Sequence, residues 1–318
     1  MPRATHRLAT SARLGALALL WGSSFLLIKL ALRGFTPYQI VLVQLALGAA
    51  VLIASSYVIS ERLPRGRQVW IHLAVAALLA NVAPYLLFAV AERRIDSAVA
   101  GMINAITPLF TVVIAVLVGH ERKPTRLQMV GLVAGITGVA ILLAPWRSGT
   151  QFTSWGALAA IAASLCYAVS YVYIDRFLAG RAHSPVPLAG AQLLAASGLT
   201  VIALPFVRGW AVSAWRLDAV LALLGLGILA TGVAYVLNYR IITDDGASAA
   251  SLVSYLLPIV AVILGATVLH ERPTAHAIIG VIITLAGVVM ARHGVGPGTS
   301  TGPVLHRPAD KRSGRRPV

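Results

Sequence analysis

The chain has 318 residues, 58% of them hydrophobic and 11% charged, with a formal net charge of +16. Soluble domains carry roughly 45–50% apolar and about 25% charged residues, so too little polar surface remains here to cover a water-soluble globule. Disorder and a collagen-like repeat are excluded as well, and so is a disulfide scaffold because Cys166 is the only cysteine; a polytopic membrane protein remains.

Apolar runs of about 20 residues cross a hydrocarbon core of roughly 30 Å as helices. Ten such runs follow one another, at 14–32, 38–60, 69–91, 97–119, 127–145, 155–174, 186–206, 217–237, 247–269 and 275–290. Arg3, Arg7 and Arg13 precede the first run as in a secretory signal, but the run exceeds an h-region of about 7–15 residues and lacks a small-residue cleavage site. Residues 1–13 and 293–318 are tails. The second is basic and rich in Gly, Pro, Ser and Thr, so it is expected to be disordered and drawn to anionic lipid.

Lys and Arg in the loops set orientation. With the N-terminus cytoplasmic, the inner segments hold 18 of them and the outer loops seven. Both termini are therefore expected on the cytoplasmic side of a cell membrane. The charge is an orientation signal on alternate loops, and nucleic acid is not an expected partner.

The chain repeats itself. Residues 106–122 align with 256–272 at an offset of 150, so that Pro108 falls on Pro258 and His120-Glu121-Arg122 on His270-Glu271-Arg272. Tyr85 meets Tyr235 at the same offset, and Thr36-Pro37 and Gln44 meet Ser184-Pro185 and Gln192 at 148. The repeats are 14–145 and 155–292. Five spans each is an odd number, so the second copy is expected to enter the membrane from the opposite side, as in many secondary transporters.

Leu20-Trp21-Gly22-Ser23-Ser24-Phe25 with Lys29 in the first span, and a Pro…His-Glu-Arg…Gly unit closing each half, resemble the drug/metabolite transporter superfamily and specifically its EamA-type members. The resemblance covers about residues 14–292. It implies an all-α membrane protein of ten transmembrane helices, built as two inverted five-helix repeats around a central cavity. Such proteins carry small metabolites, often outward. The sequence departs from the family at Gln44, where many members carry a basic residue.

No carboxylate lies at mid-depth, where proton or sodium relays usually sit; Glu92 is the borderline case. Glu121 and Glu271 each follow a histidine, but a zinc-protease helix needs a second His three residues later, and Pro124 and Thr274 stand there. Structural turns formed by Glu121, Arg122, Glu271 and Arg272 are the expectation, each Glu pairing with its Arg or accepting N–H bonds that open the next helix. No enzyme constellation, metal site or cofactor is expected.

Lys29 is the sole charge inside a span, and both snorkelling to the interface and service as a cavity cation suit it. Pro108 and Pro258 each remove a helical hydrogen bond and free a carbonyl four residues earlier, at Asn104 and Ser254. Pro84 makes a similar break beside Asn81, whereas the partner span has Gly232, so that kink is expected on one side only. The deeper polar and aromatic groups form the expected cavity: Trp21, Ser24, Lys29, Gln44, Asn81, Tyr85, Asn104, Tyr167, Tyr171, Gln192, Tyr235, Asn238, Ser254 and Tyr255. Such a lining suits neutral, zwitterionic or aromatic metabolites, amino-acid-like or nucleobase-like. A non-transporting sensor or scaffold, or an intramembrane enzyme, are the alternatives; monomer or homodimer is left open.

Overall fold

The computed structural model describes residues 2–118, 125–143, 154–178, 184–206, 214–245 and 253–293. Within them the chain is helical throughout, with no strand. The helices are α1 (Pro2–Ala31), α2 (Pro37–Val58), α3 (Arg67–Ala91), α4 (Ser97–Leu117), α5 (Arg126–Leu143), α6 (Trp155–Phe177), α7 (Pro185–Ile202), α8 (Leu217–Leu224, continuing through Gly225–Val233 and Ala234–Asp245), α9 (Val253–Val268) and α10 (Ala275–His293). Seven of them, α1 to α4 and α6 to α8, are long and apolar enough to cross a membrane. Ten crossings were expected. The apolar parts of the other three helices, Met129–Leu142, Leu256–Val268 and Ala275–Met290, are shorter.

Local chemistry sets the ends. Thr36 caps α2 through a capping box: its hydroxyl accepts from the Gln39 amide at 3.4 Å, while the Thr36 amide donates to the Gln39 side chain at 2.8 Å. Pro37 then fills the first turn, where an N–H would have no partner. At the far end of α9, His270 has φ 57°. That left-handed residue folds the chain back so that the Glu271 amide donates to the Gly265 carbonyl at 3.0 Å. The helices are apolar on several sides, as they must be when one face meets protein and another meets lipid. Ile71, Val133, Leu158, Leu221 and Ile282 stand more than half exposed on the outside.

Most of the large helix contacts join a helix of residues 14–144 to one of residues 154–292: α5 to α10, α2 to α7, α1 to α9, α4 to α9, α3 to α6, and α2 to α8. α1 also packs on α8, α4 on α6 and α3 on α7. Exchanging the halves maps this set of contacts onto itself. α5 and α10 meet at backbone distance. A Cβ on Gly138 would come within 2.5 Å of the Thr284 amide nitrogen, and one on Gly280 within 2.5 Å of the Leu142 nitrogen. Gly287 approaches the Gly135 backbone as closely. Small residues at these positions let the two helices interlock where no hydrophobic driving force acts between them.

Candidate functional site

Two helices lose their regular winding at related places. In α3, Leu78–Val82 forms a π-helical segment, and the Ala83 amide donates to Leu78, five residues back. Pro84 follows at once. It has no N–H to return to Ala80, and a widened turn accommodates the missing bond. In α8 the segment Gly225–Val233 is π-helical as well, and an offset of 150 takes 78–82 to positions inside it. The kink expected on one side only is therefore present on both. No proline is needed in α8, because the Thr231 hydroxyl donates to the Leu226 carbonyl at 2.9 Å. Gly232 lets the α8 backbone come up against Val51 of α2, where a Cβ would be 2.6 Å from the valine Cβ.

Each widened turn holds a polar side chain that bonds to the opposite half. Gln192 of α7 donates to Asn81 Oδ1 at 2.7 Å, and Gln44 of α2 donates to Thr231 Oγ1 at 3.0 Å. Gln44 and Gln192 are repeat partners, as are Asn81 and Thr231, so the two bonds are one interaction made twice. All four residues are buried. Thr231 escaped the sequence reading. The offset applied to Asn81 is the signal that leads to it.

Around these bonds runs an aromatic wall. Trp21 meets Tyr235 edge to face at 6.1 Å, and Asn81 Nδ2 donates to the Tyr235 hydroxyl at 3.3 Å. The Tyr85 hydroxyl stands against Asn81 and Tyr235. Phe88 joins Tyr167 at 6.1 Å and Phe25 at 5.5 Å. Trp21, Tyr85, Tyr167 and Tyr235 each keep part of their surface accessible.

The remaining expected residues lie apart from this cluster. The Ser24 hydroxyl donates within its own helix to Leu20. Asn104 ends the first segment of α4, which breaks at Ala105 and Ile106, and its side chain accepts from Thr107 at 3.3 Å. Pro108 opens the second segment of α4, whereas Pro258 lies inside a continuous α9. Tyr171 is 57% exposed, and Asn238 is half-buried one turn beyond Tyr235. The side chains of Ser254 and Tyr255, the whole of Glu121 and Arg122, and the tail from 294 lie outside the described residues. A hollow of about 480 Å³ opens elsewhere, where the end of α2 meets the turn through Glu61, Arg62 and Leu63. It is a surface groove with none of the mid-helix polar groups.

A second constellation sits where α1 and α3 end and α4 begins. Lys29 neither snorkels outward nor stands free. Its ammonium donates to the backbone carbonyls of Glu92 at 2.7 Å and Ile95 at 2.6 Å, capping the last turn of α3 with a cation where the helix dipole favours one. Glu271 accepts from the Ser97 amide at 2.8 Å, the Ser97 hydroxyl at 3.0 Å and the Ala98 amide at 2.9 Å. It does accept helix-opening N–H bonds, but those of α4 in the other half. Arg272 is exposed. The Glu92 side chain is 1% exposed, and neither of its carboxyl oxygens has a hydrogen-bond partner. Burial pushes this carboxyl well above the ordinary carboxylate range; Lys29 pulls it back and Glu271 adds to the rise.

Comparison with known proteins follows the same lines. YedA, an uncharacterized inner membrane transporter of Escherichia coli K12, is 26% identical over 254 residues, 79% of either chain. YdfC, an uncharacterized transporter of Bacillus subtilis, is 23% identical over 85% of this chain and 86% of its own. An uncharacterized transporter of Archaeoglobus fulgidus is 27% identical over 86% of this chain and 93% of its own. A crystal structure sharing 20% of its sequence superposes with a TM-score of 0.63 over 89% of this chain and 97% of its own, which shows a common fold. The EamA-like transporter family matches residues 14–144 and again 154–292. The chain is a multi-pass membrane protein of the drug/metabolite transporter type, and it belongs to the EamA-like transporter family.

Proposed function

We propose that the chain is a secondary transporter that exports a small neutral, zwitterionic or aromatic metabolite, amino-acid-like or nucleobase-like, by alternating access. In this reading ten helices cross a bacterial-type cytoplasmic membrane with both termini inside, as two inverted five-helix repeats. The observation that carries it is the twofold polar pair, Gln44 to Thr231 and Gln192 to Asn81. An element that rocks between two equivalent states needs equivalent contacts on both sides of its axis, and these bonds supply them. Part-exposed Trp21, Tyr85, Tyr167 and Tyr235 offer flat faces and hydroxyls without net charge, a lining suited to a planar or zwitterionic solute.

The test is flux. Proteoliposomes loaded with a panel of neutral and aromatic amino acids and nucleobases should release at least one solute faster than empty liposomes. Tyr85→Phe and Tyr235→Phe should each change the ranking of the solutes by several-fold while leaving membrane abundance unaltered. Wild-type ranking in both variants, or no flux of any solute, would remove the reading and leave a sensor or scaffold in its place.

A further inference from the structure

The polar end of the bundle holds more than transport through the central cluster requires. Glu92 is the first residue past α3, buried, with both carboxyl oxygens unpartnered. A buried carboxylate without hydrogen bonds is among the costliest groups a fold can hold, and in practice such a group neutralises itself by taking up a proton.

The charges around it point the same way. From α1 it faces Lys29, whose ammonium is already committed to two backbone carbonyls. From the turn between α9 and α10 it faces Glu271, whose carboxylate is committed to the start of α4. Arg93 and Arg94 on its own turn, with His270 and Arg272 beyond Glu271, are exposed. Asp96 follows in the α3–α4 turn, and the first turn of α6 packed against it brings no charge. Asp218 at the start of α8 is bound to Arg33 at 3.1 Å and to Arg216 at 3.0 Å. One part-buried cation, Lys29, thus faces two carboxylates. Lys29 and Glu271 balance each other only while Glu92 is neutral.

We infer that Glu92 is a proton-binding site that latches this end of the bundle: the contact of Glu271 with Ser97 and Ala98, and of Lys29 with the α3–α4 turn, stays closed while Glu92 holds a proton and opens when it is lost. The inference rests on the alternating-access reading and adds the ion to which the movement answers. The sign follows from burial. Closure raises the affinity of Glu92 for a proton, so the closed arrangement is favoured at low pH and is lost as pH rises through the closed-state value. An open end lets water reach the carboxylate and stabilise its charge.

Two measurements on the full chain in lipid nanodiscs test this without any substrate. Infrared titration should show the carbonyl stretch of a protonated carboxylic acid persisting above the pH at which an ordinary glutamate ionises. That band should disappear as the pH rises further, and should be absent in Glu92→Gln. Spin labels at Arg93→Cys and Thr274→Cys, in a Cys166→Ala background, should separate over the same pH range in the parent protein. They should stay close at every pH when Glu92→Gln is added, and should still separate with His270→Gln. Lys29→Met, which removes the cation facing Glu92, should move the acid band to higher pH. An acid band equal in parent and Glu92→Gln, or label distances that ignore pH while the band titrates, would overturn the latch, as would an unmoved midpoint in Lys29→Met. Absence of flux in proteoliposomes with both titrations as described would remove the transport reading alone.

Discussion

Asn81 and Thr231 occupy equivalent turns but depend on their partners to different degrees. The Thr231 hydroxyl accepts from Gln44 and also donates to Leu226, so without Gln44 it stays engaged. Asn81 Oδ1 accepts from Gln192, and a leucine at 192 would leave that oxygen buried and bare. An unsatisfied buried acceptor costs about 1–3 kcal/mol, whereas a lost hydrogen bond with its partners re-engaged costs about 1 kcal/mol or less. Gln192→Leu should therefore lower the thermal midpoint in detergent clearly more than Gln44→Leu does, as read by tryptophan fluorescence. Equal losses would mean that the two bonds carry equal weight despite their surroundings. Much of this cluster was legible in the sequence. The offset of 150 joined Tyr85 to Tyr235, and polarity within apolar runs marked Gln44, Asn81 and Gln192. Thr231 was hidden because threonine is unremarkable in a membrane helix, where its hydroxyl usually bonds back to its own backbone. Lys29 shows the opposite limit. Its position in a span allowed two fates, water or cavity, and it took a third by capping a neighbouring turn. Only the packing of α1 on α3 brings those carbonyls within reach.

At the scale of elements, caps and glycines decide whether helices meet correctly. Glu271 supplies the N-terminal cap of α4 from another half of the chain, with three donors converging on one carboxylate. Removing a charged cap costs about 2 kcal/mol. Glu271→Ala should thus speed hydrogen exchange at the amides of residues 97–100 while leaving α10 protected; unchanged exchange there would place the stability of α4 elsewhere. The α5–α10 seam is less forgiving. Gly287 sits against the Gly135 backbone and the Gly131 carbonyl, atoms that cannot step aside for a side chain. Gly287→Val should destabilise by several kcal/mol, seen as loss of monodisperse protein on size exclusion. Behaviour like the parent would mean that the two helices can part without harm. The sequence could not pair these glycines, because four intervening helices, α6 to α9, separate Gly135 from Gly287 and no spacing rule reaches that far. The irregular turn of α8 was missed for a related reason. Proline announces a broken helix, whereas a hydroxyl bonding five residues back leaves no mark in the sequence.

For the molecule as a whole, the repeat defines the halves in sequence, but their contacts lie between them. α1 rests on α8 and α9, α2 on α7 and α8, α3 on α6 and α7, and α4 on α6 and α9. Each half is thus a template for the other, and neither has a core of its own. Residues 1–145 expressed alone should fail to give a stable membrane protein. Co-expression with residues 146–318 should restore it, measured as the amount of either fragment that survives a chase in cells. Stability of the first fragment by itself would show that its helices find enough contact within one half.

The α5–α10 seam has a consequence for how the protein is made. α5 leaves the ribosome with its glycine stripe exposed, and α10, the helix that covers it, is synthesised only after four others. Until α10 arrives, the first half carries an unfilled groove in the bilayer, open to whatever small-residue helix drifts past. A chain cut just before Ala275 keeps nearly the whole bundle yet leaves that groove permanently vacant. Membrane quality control has there a signature by which to tell an unfinished copy from a finished one.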